Sequence, residues 1–220
     1  MKRWSKFEIA WLIAFSSIAA ILSYIWGDTL FGFSVFITGV ICVVMVTKGD
    51  IWNYAFGLYN VLGYVYLSYI NGFFGEVMLN GLYYAPMQVV GYFMWKKQMA
   101  SDGMVISKKL DLKSWLYTFF ASVAGIMIYG LILREIPGQN TPFIDAASTV
   151  LSVIAMWLMV KCFTEQWILW IIVNIVSIIM WSYRLNSGID GAAPMIVMWS
   201  AYLLNSVYGY YVWNKRAAQK

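Results

Sequence analysis

The chain has 220 residues, of which 62% are apolar and only 11% are charged, against roughly 25% charged residues in soluble domains. One soluble core could not bury this much apolar surface, so the composition excludes an ordinary soluble protein. The formal net charge of +5 does not indicate nucleic-acid binding, because the basic residues lie between apolar runs and form no face of their own.

Eight charge-poor runs follow one another along the chain, each near the ~20 residues that span ~30 Å of hydrocarbon. They predict an all-α, polytopic membrane protein with eight transmembrane helices. The predicted spans are 7–26, 29–47, 51–71, 74–95, 114–133, 141–160, 166–183 and 191–213. The first run also resembles a signal peptide, since basic residues precede it, but its length and the charge pattern below favour a retained helix.

The basic residues between the runs predict the orientation. If both termini lie on one side, only Arg134 and Arg184 lie on the other. Because cytoplasmic loops carry an excess of Lys and Arg, both termini are predicted to be cytoplasmic. The residues on that side are Lys2, Arg3, Lys6, Lys48, Lys96, Lys97, Lys108, Lys109, Lys113, Lys161, Lys215, Arg216 and Lys220.

The chain nearly repeats itself at an offset of about 114 to 118 residues. Segment 91–97, GYFMWKK, ends the fourth run, and segment 209–215, GYYVWNK, ends the eighth. A similar offset places Asn53, Phe56 and Asn60 opposite Trp167, Trp170 and Asn174. Helices of similar composition could also produce such echoes by chance.

The repeat predicts four parts: an extra N-terminal helix (1–28), a three-helix unit (29–97), a cytoplasmic loop with a linking helix (98–140), and a second three-helix unit (141–220). One linking helix between two three-helix units makes both units enter the membrane in the same direction. This 3+1+3 arrangement is a parallel repeat of the kind found in SWEET-type transporters, with a substrate site near the midplane where the units meet.

Four carboxamides lie at a similar predicted depth. At ~1.5 Å per residue, Asn60, Gln88, Asn174 and Asn205 lie about 10 to 13 Å from the cytoplasmic ends of their helices. Carboxamides donate and accept hydrogen bonds without charge, which suits a polar ligand with hydroxyl and amide groups. The alternative is that they only bond one another between helices, at about 0.6 kcal/mol per contact.

Two tryptophans share a helix face with one of these carboxamides, because Trp167, Trp170 and Asn174 are three and four residues apart. Trp concentrates at membrane interfaces for reasons unrelated to ligands, and Trp167 lies within one turn of its helix end. Trp170 is a turn deeper and is the better candidate. Indole faces beside amides favour a flat, cationic heteroaromatic ligand. The substrate-binding candidates are therefore Trp167, Trp170, Asn174, Gln88, Asn60, Asn205, Asn53 and Phe56.

No Asp, Glu, Lys or Arg lies at mid-depth in any run, and the chain has no histidine. The usual proton relays and carboxylate ion sites are therefore missing, which favours facilitated diffusion. The sequence has neither a phosphate-binding loop nor a metal-ligand set, so we expect no cofactor, no metal and no enzyme. A channel or a scaffold is the other alternative, and neither needs paired aromatic and amide faces.

The stretch 145–179, DAASTVLSVIAMWLMVKCFTEQWILWIIVNIVSII, resembles the PnuC family of bacterial vitamin transporters through its W-x-x-W-x-x-x-N pattern, Trp167, Trp170 and Asn174. Segments 53–60 and 91–95 are also similar to that family, and the resemblance covers about 32–213. The first helix lies outside the family's common seven-helix core.

The resemblance implies a homotrimeric uniporter that imports nicotinamide riboside across the bacterial inner membrane, while a cytoplasmic ribosylnicotinamide kinase traps the product. It also implies that Trp167, Trp170 and Asn174 contact the ligand, with Gln88 and Asn60 as partners from the first unit. Relatives in this family are associated with thiamine or riboflavin. The residues alone do not separate nicotinamide riboside from thiamine, since both are flat cationic heterocycles with hydroxyl groups.

Overall fold

The computed structural model describes residues 4, 6–27, 29–70, 72, 74–137, 139, 141–187 and 192–218. Within these ranges the secondary structure is helical, and two isolated bridges, Met99 with Val105 and Lys108 with Phe163, take the place of strands. The predicted all-α class is confirmed. The helices are α1 (Lys6–Trp26), α2 (Leu30–Lys48), α3 (Asn53–Ile70), α4 (Phe74–Leu79), a π-helical turn (Asn80–Tyr84), α5 (Ala85–Lys96), α6 (Leu112–Arg134), α7 (Pro142–Val160), α8 (Gln166–Asn186) and α9 (Ala192–Ala217).

Five helices of the described chain are long and apolar enough to cross a membrane: Lys6–Ile25, Leu30–Lys48, Leu112–Arg134, Pro142–Val160 and Gln166–Asn186. The chain is therefore a multi-pass membrane protein. Helices α3 and α9 coincide with predicted spans but are rich in tyrosine, and the run 74–95 folds as α4, the π-helical turn and α5. The count of eight spans stays a prediction. Lys2, Arg3, Lys220 and the predicted span ends Asn71 and Gly191 lie outside the described residues.

The chain divides into two compact units. Unit 1 comprises Met1–Ile106 with Val160–Cys162, and unit 2 comprises Ser107–Met159 with Phe163–Lys220. In unit 1, α2 packs against α1 and α3, and α3 packs against α5; in unit 2, α8 packs against α9. The helix predicted as a separate linker, α6, lies in unit 2.

An apolar core in unit 2 joins α7 to α8. Leu151, Ala155 and Leu158 lie on one face of α7, and Leu169 and Val173 lie on one face of α8; all five are buried in one cluster. Spacings of three and four residues place such side chains on a single helix stripe. Trp170 packs against this cluster, so the core fixes one side of the indole predicted to bind ligand.

The turns that precede α3 and α8 have the same backbone hydrogen bonds. The Asp50 N–H donates to the Met45 carbonyl as the Phe163 N–H donates to that of Leu158. Four further bonds match in the same way, from the N–H groups of residues 53 to 56 and of residues 166 to 169. Gly49 and Cys162 end the preceding helices with positive φ angles of 77° and 65°, the usual left-handed helix end.

These matched bonds correct the predicted pairing of the two segments. Each pair of donors is 113 residues apart, as Asp50 is from Phe163, whereas the sequence comparison used an offset one residue longer. At the observed register Trp167, Trp170 and Asn174 correspond to Tyr54, Gly57 and Val61. Asn53, Phe56 and Asn60 are therefore not their counterparts. The sequence alone favours the longer offset because that offset aligns Asn60 with Asn174, and the hydrogen bonds of the turns cannot be read from it.

The loop after α5 is bonded to helix ends in each unit. In unit 1, the Val105 N–H donates to the Gly49 carbonyl at 2.9 Å, so the loop meets the end of α2. In unit 2, the Thr164 N–H donates to the Lys108 carbonyl, and the Ser107 hydroxyl donates to the Trp213 carbonyl at 3.0 Å. Each unit therefore has a loop-covered end, which is the end predicted to face the cytoplasm.

Lys48 ties the first turn of α1 to the end of α2. Its Nζ lies 3.5 Å from a Glu8 carboxylate oxygen and 3.8 Å from the centroid of the Trp4 ring, and its side chain is only 3% exposed. A buried ammonium needs such partners. Beyond this contact, Phe15, Ala19 and Leu22 of α1 are buried. The first helix is thus an integral part of unit 1.

We expect Lys48→Ala to destabilise unit 1 by roughly 1 to 3 kcal/mol, because it removes the cation from both Glu8 and the Trp4 ring. The measurement is thermal unfolding of the detergent-purified protein. Lys48→Arg is the control, since a guanidinium keeps the charge and stacks on aromatic rings. Equal stability of Lys48→Ala and the parent protein would show that α1 is held by its apolar contacts alone.

Candidate functional site

Trp167 packs inside unit 2 against the end of α9. The residue is 3% exposed. Its ring centroid lies 6.0 Å from that of Trp213, and the two ring planes are inclined at 76°. A Cβ at Gly209 would lie 2.6 Å from Cζ2 of Trp167, so only glycine leaves room for the indole. The indole N–H is buried without a hydrogen-bond partner. Trp167 is therefore held by packing, and ligand contact by it stays a prediction.

Unit 1 contains the same arrangement with a tyrosine. The Tyr54 ring lies 5.0 Å from that of Trp95 at 84°, and a Cβ at Gly91 would collide with it. Trp95 and Trp213 are both fully buried. The similarity of segments 91–95 and 209–213 thus has a packing reason. Each supplies a glycine and a tryptophan that contact the aromatic ring in the first turn of α3 or of α8.

Trp170 occupies a different environment from Trp167. It is half-buried and packs on the α7–α8 core, as does Trp199 from α9. The Trp199 ring lies 5.8 Å from that of Tyr202 at 83°, and its indole N–H is buried with no hydrogen-bond partner. The two predicted indoles do not share one set of contacts. Trp167 contacts the Trp213 ring, whereas Trp170 packs on the same apolar core as Trp199.

Asn174 is paired to α9. Its Nδ2 donates to the Ser206 hydroxyl at 3.0 Å, and the side chain is 3% exposed. The neighbouring Asn205 is also buried. A buried carboxamide without partners would cost free energy, and this bond satisfies one of its two N–H donors. Trp170 and Asn174 lie one helical turn apart on α8, as predicted.

Asn60 is satisfied by backbone in unit 1. Its Nδ2 donates to the Val35 carbonyl at 2.7 Å, and its side chain lies over Gly39, where a Cβ would be 2.7 Å from that nitrogen. The bond joins α3 to α2. The carboxamides could bind a ligand or join helices, and the geometry of Asn60 is that expected of a contact between helices.

Gln88 lies over Gly57 with its carbonyl oxygen unpaired. A Cβ at Gly57 would lie 2.6 Å from Oε1 of Gln88 and 3.0 Å from the Cys42 sulfur. The side chain is 7% exposed, and Oε1 is buried with no hydrogen-bond partner. An unpaired buried acceptor is uncommon and calls for an explanation such as a water or a ligand.

The remaining two candidates lie at the start of α3. Asn53 is fully buried, and its Nδ2 donates to the Asp50 carbonyl at 2.7 Å, which completes the turn before α3. Phe56 is half-buried. Contact of Asn53 and Phe56 with a ligand stays a prediction, as it does for the other candidates.

Sequence reasoning missed three residues of these local environments: Gly57, Trp199 and Ser206. Ser206 and Gln88 each lie three residues before the glycine of the repeated ending, Gly209 or Gly91, and this spacing could have identified Ser206. Gly57 follows from the corrected register. Trp199 lies well inside its helix run, where an interface role is less expected.

The side chains described above offer aromatic faces and uncharged hydrogen-bond groups. Among the described residues, no group of His, Cys, Asp or Glu could hold a metal ion. The carboxamides and indoles can bind a polar, flat ligand by hydrogen bonds and stacking. They are poor proton donors and acceptors near neutral pH, so the chemistry they suit is reversible binding.

The profile of a transporter family matches most of the chain. Its description is "Nicotinamide mononucleotide transporter", and it covers residues 29–215. The match begins at the start of α2 and ends within α9. Helix α1 lies before the matched residues, and its being an addition to a common core stays a prediction.

Curated relatives and a solved structure are similar over nearly the whole chain. The nicotinamide riboside transporter PnuC of Neisseria mucosa is 40% identical over 217 residues, covering 96% of this chain and 82% of that protein. The protein of the same name from Haemophilus influenzae is 40% identical over 221 residues, covering 96% and 91%. The crystal structure of the vitamin B3 transporter PnuC superposes with a TM-score of 0.83 at 38% identity, covering 100% of this chain and 95% of that one.

Proposed function

The chain belongs to the nicotinamide mononucleotide transporter family, and we propose that it imports nicotinamide riboside by facilitated diffusion. The substrate follows from relatives that are 40% identical and bear that activity in their names. The observation in this chain that carries the proposal is the α8 face on which Trp170 and Asn174 lie one turn apart, in the pattern by which the sequence resembled this family.

The chemistry of the ligand matches these groups. Nicotinamide riboside has a flat cationic ring, a carboxamide and ribose hydroxyls. A desolvated cation over an indole gains about 2 kcal/mol, which suits Trp170 and the pyridinium. Asn174 and Gln88 suit the hydroxyls and the carboxamide, because each amide group can donate and accept hydrogen bonds. Asn60, Asn205, Trp167, Asn53 and Phe56 complete the proposed set.

The transport step we propose is a uniport. Mid-depth acidic or basic residues, which usually couple transport to protons or ions, are missing from the predicted spans. Substrate then moves down its gradient while the two three-helix units, arranged as a parallel repeat, rock to expose the site alternately. A cytoplasmic ribosylnicotinamide kinase traps the product by phosphorylation. We place the protein in the bacterial inner membrane as a homotrimer with both termini in the cytoplasm.

The first test is binding of nicotinamide riboside, thiamine and riboflavin to the purified protein by calorimetry. We expect saturable binding of nicotinamide riboside and none of the other two at comparable concentrations. Tight binding of thiamine or riboflavin instead would keep the transporter and replace its substrate. Absence of binding by all three would contradict the proposal.

Uniport is tested separately in proteoliposomes. Nicotinamide riboside loaded inside should drive uptake of labelled nicotinamide riboside by exchange, without a sodium or proton gradient. Liposomes without protein are the control. Uptake that requires an imposed ion gradient would contradict uniport while leaving the substrate intact.

A further inference from the structure

We propose that Gly57 is a positioning residue for substrate binding: the missing side chain seats the Gln88 carboxamide against α3, so that its carbonyl oxygen accepts a hydrogen bond from an N–H or O–H group of the substrate. The inference rests on the proposed function. The contact is direct, since a Cβ at residue 57 would lie 2.6 Å from Oε1 and 2.9 Å from Cδ of Gln88. Both atoms would have to move if residue 57 carried a side chain.

The unpaired Oε1 of Gln88 indicates why the carboxamide is held above Gly57. Oε1 of Gln88 is buried and has no partner in the described structure, although a buried acceptor without a partner costs about 1 to 3 kcal/mol. A carboxamide that served only to join helices would be expected to use its acceptor. A ligand with amide or hydroxyl donors supplies what the site lacks, and nicotinamide riboside has both.

Asn60 provides a contrast within the same unit. It also lies over a glycine, Gly39, but its Nδ2 donates to the Val35 carbonyl at 2.7 Å. Both carboxamides fill the space above a glycine, and of these two residues Gln88 is the one with a buried acceptor that has no partner. Gly39 thus serves a contact between helices, whereas Gly57 serves an oxygen that is available to a ligand.

A π-helical turn directly precedes α5, the helix that carries Gln88. A π turn contains more residues per turn than an α-helix and so changes which side chains face a neighbour. The turn Asn80–Tyr84 is closed by the Ala85 N–H, which donates to the Asn80 carbonyl. Asn80 in turn donates to the Glu76 carbonyl at 2.9 Å and its carboxylate at 3.1 Å. Gln88 follows in the first turn of α5 and faces Gly57.

In the corrected register, Gly57 of unit 1 corresponds to a tryptophan of unit 2. Its counterpart in unit 2 is Trp170, 113 residues later. Where unit 2 has an indole, unit 1 has no side chain, and the Gln88 carboxamide occupies that space. Helices α3 and α8 therefore differ at this position of the repeat: α8 has the aromatic face of Trp170, whereas α3 has Gly57 with the Gln88 acceptor above it.

The test is nicotinamide riboside uptake by Gly57→Ala in proteoliposomes, with KM and maximal rate measured separately. We expect KM to rise about tenfold, which corresponds to the loss of one hydrogen bond of ~1.4 kcal/mol, and the maximal rate to change little. Gly57→Ala/Gln88→Met should have the same KM as Gln88→Met alone, because Gly57 acts through the Gln88 oxygen. Gly125→Ala is the control: its Cβ would crowd Cγ1 of Val150 at 2.9 Å, away from the proposed substrate-binding residues, so it should leave KM unchanged even where it lowers stability.

Three results would overturn the inference. The first two are an unchanged KM in Gly57→Ala and additive effects on KM in Gly57→Ala/Gln88→Met. The third is a parental KM in Gly57→Ala/Cys42→Ala, which would assign the effect to the contact with the Cys42 sulfur at 3.0 Å. If Gly57→Ala does not fold, Gly57→Ala/Gln88→Asn has room for the new methyl. Its KM should equal that of Gln88→Asn, and a higher value counts against the inference. Failure of the parent protein to transport nicotinamide riboside would instead refute the proposed function.

Discussion

Replacing Asn174 with alanine is expected to reduce nicotinamide riboside binding by about 5- to 150-fold, the effect of losing hydrogen bonds worth ~1 to 3 kcal/mol at a buried site. Asn174 is 3% exposed and donates one N–H to the Ser206 hydroxyl. Its carbonyl oxygen and second N–H are available for other partners. Calorimetry on the purified variant gives the affinity, and thermal unfolding shows whether the variant is folded.

Ser206→Ala is the matched control, because it removes the other half of the same hydrogen bond. If Asn174 served only to join α8 to α9, the two variants would lower stability alike and leave the affinity unchanged. We expect instead that Ser206→Ala lowers the affinity only a few-fold, by loosening Asn174, while Asn174→Ala abolishes most of it. Equal affinities for both variants and the parent protein would assign Asn174 to helix packing.

The helical class and the helix positions could be predicted from the sequence because apolar runs of membrane length leave few alternatives. Each predicted run corresponds to helical segments, and the first helix lies outside the family match. The register between α3 and α8 could not be predicted. It depends on the turns after Gly49 and Cys162, where backbone hydrogen bonds decide the alignment, and residue similarity misplaced it by one position.

The helix positions of the candidate residues were predictable from the sequence, whereas the contacts of their side chains were less so. Trp170 and Asn174 are where helical spacing placed them. Helical spacing also put Trp167 on their face, but the first turn of α8 directs its ring to Gly209 and Trp213. A glycine more than 40 residues further along, on the next helix, gives no local signal of the ring it will receive. Likewise, the need for glycine at position 57 becomes apparent only from the structure, where the Gln88 carboxamide lies above it.

The second large effect concerns the two indoles, which the structure places in different surroundings. Trp170→Ala is expected to lower nicotinamide riboside affinity by about 30-fold, the ~2 kcal/mol of a desolvated cation over an indole, with a modest loss of stability because its side chain is only half-buried. Trp170→Phe should recover part of the affinity, since a phenyl face also attracts a cation, though less strongly than an indole. Calorimetry measures the affinities.

Trp167→Ala is the matched comparison on the same helix. Its ring is 3% exposed and fills the space above Gly209, so its loss should cost about 3 to 5 kcal/mol of stability, as for other buried Trp→Ala changes. If Trp167→Ala instead remained as stable as the parent while losing affinity, its role would be ligand contact and not packing. Because stability and affinity are measured independently on each variant, the pair separates a packing role of Trp167 from the substrate contact proposed for Trp170.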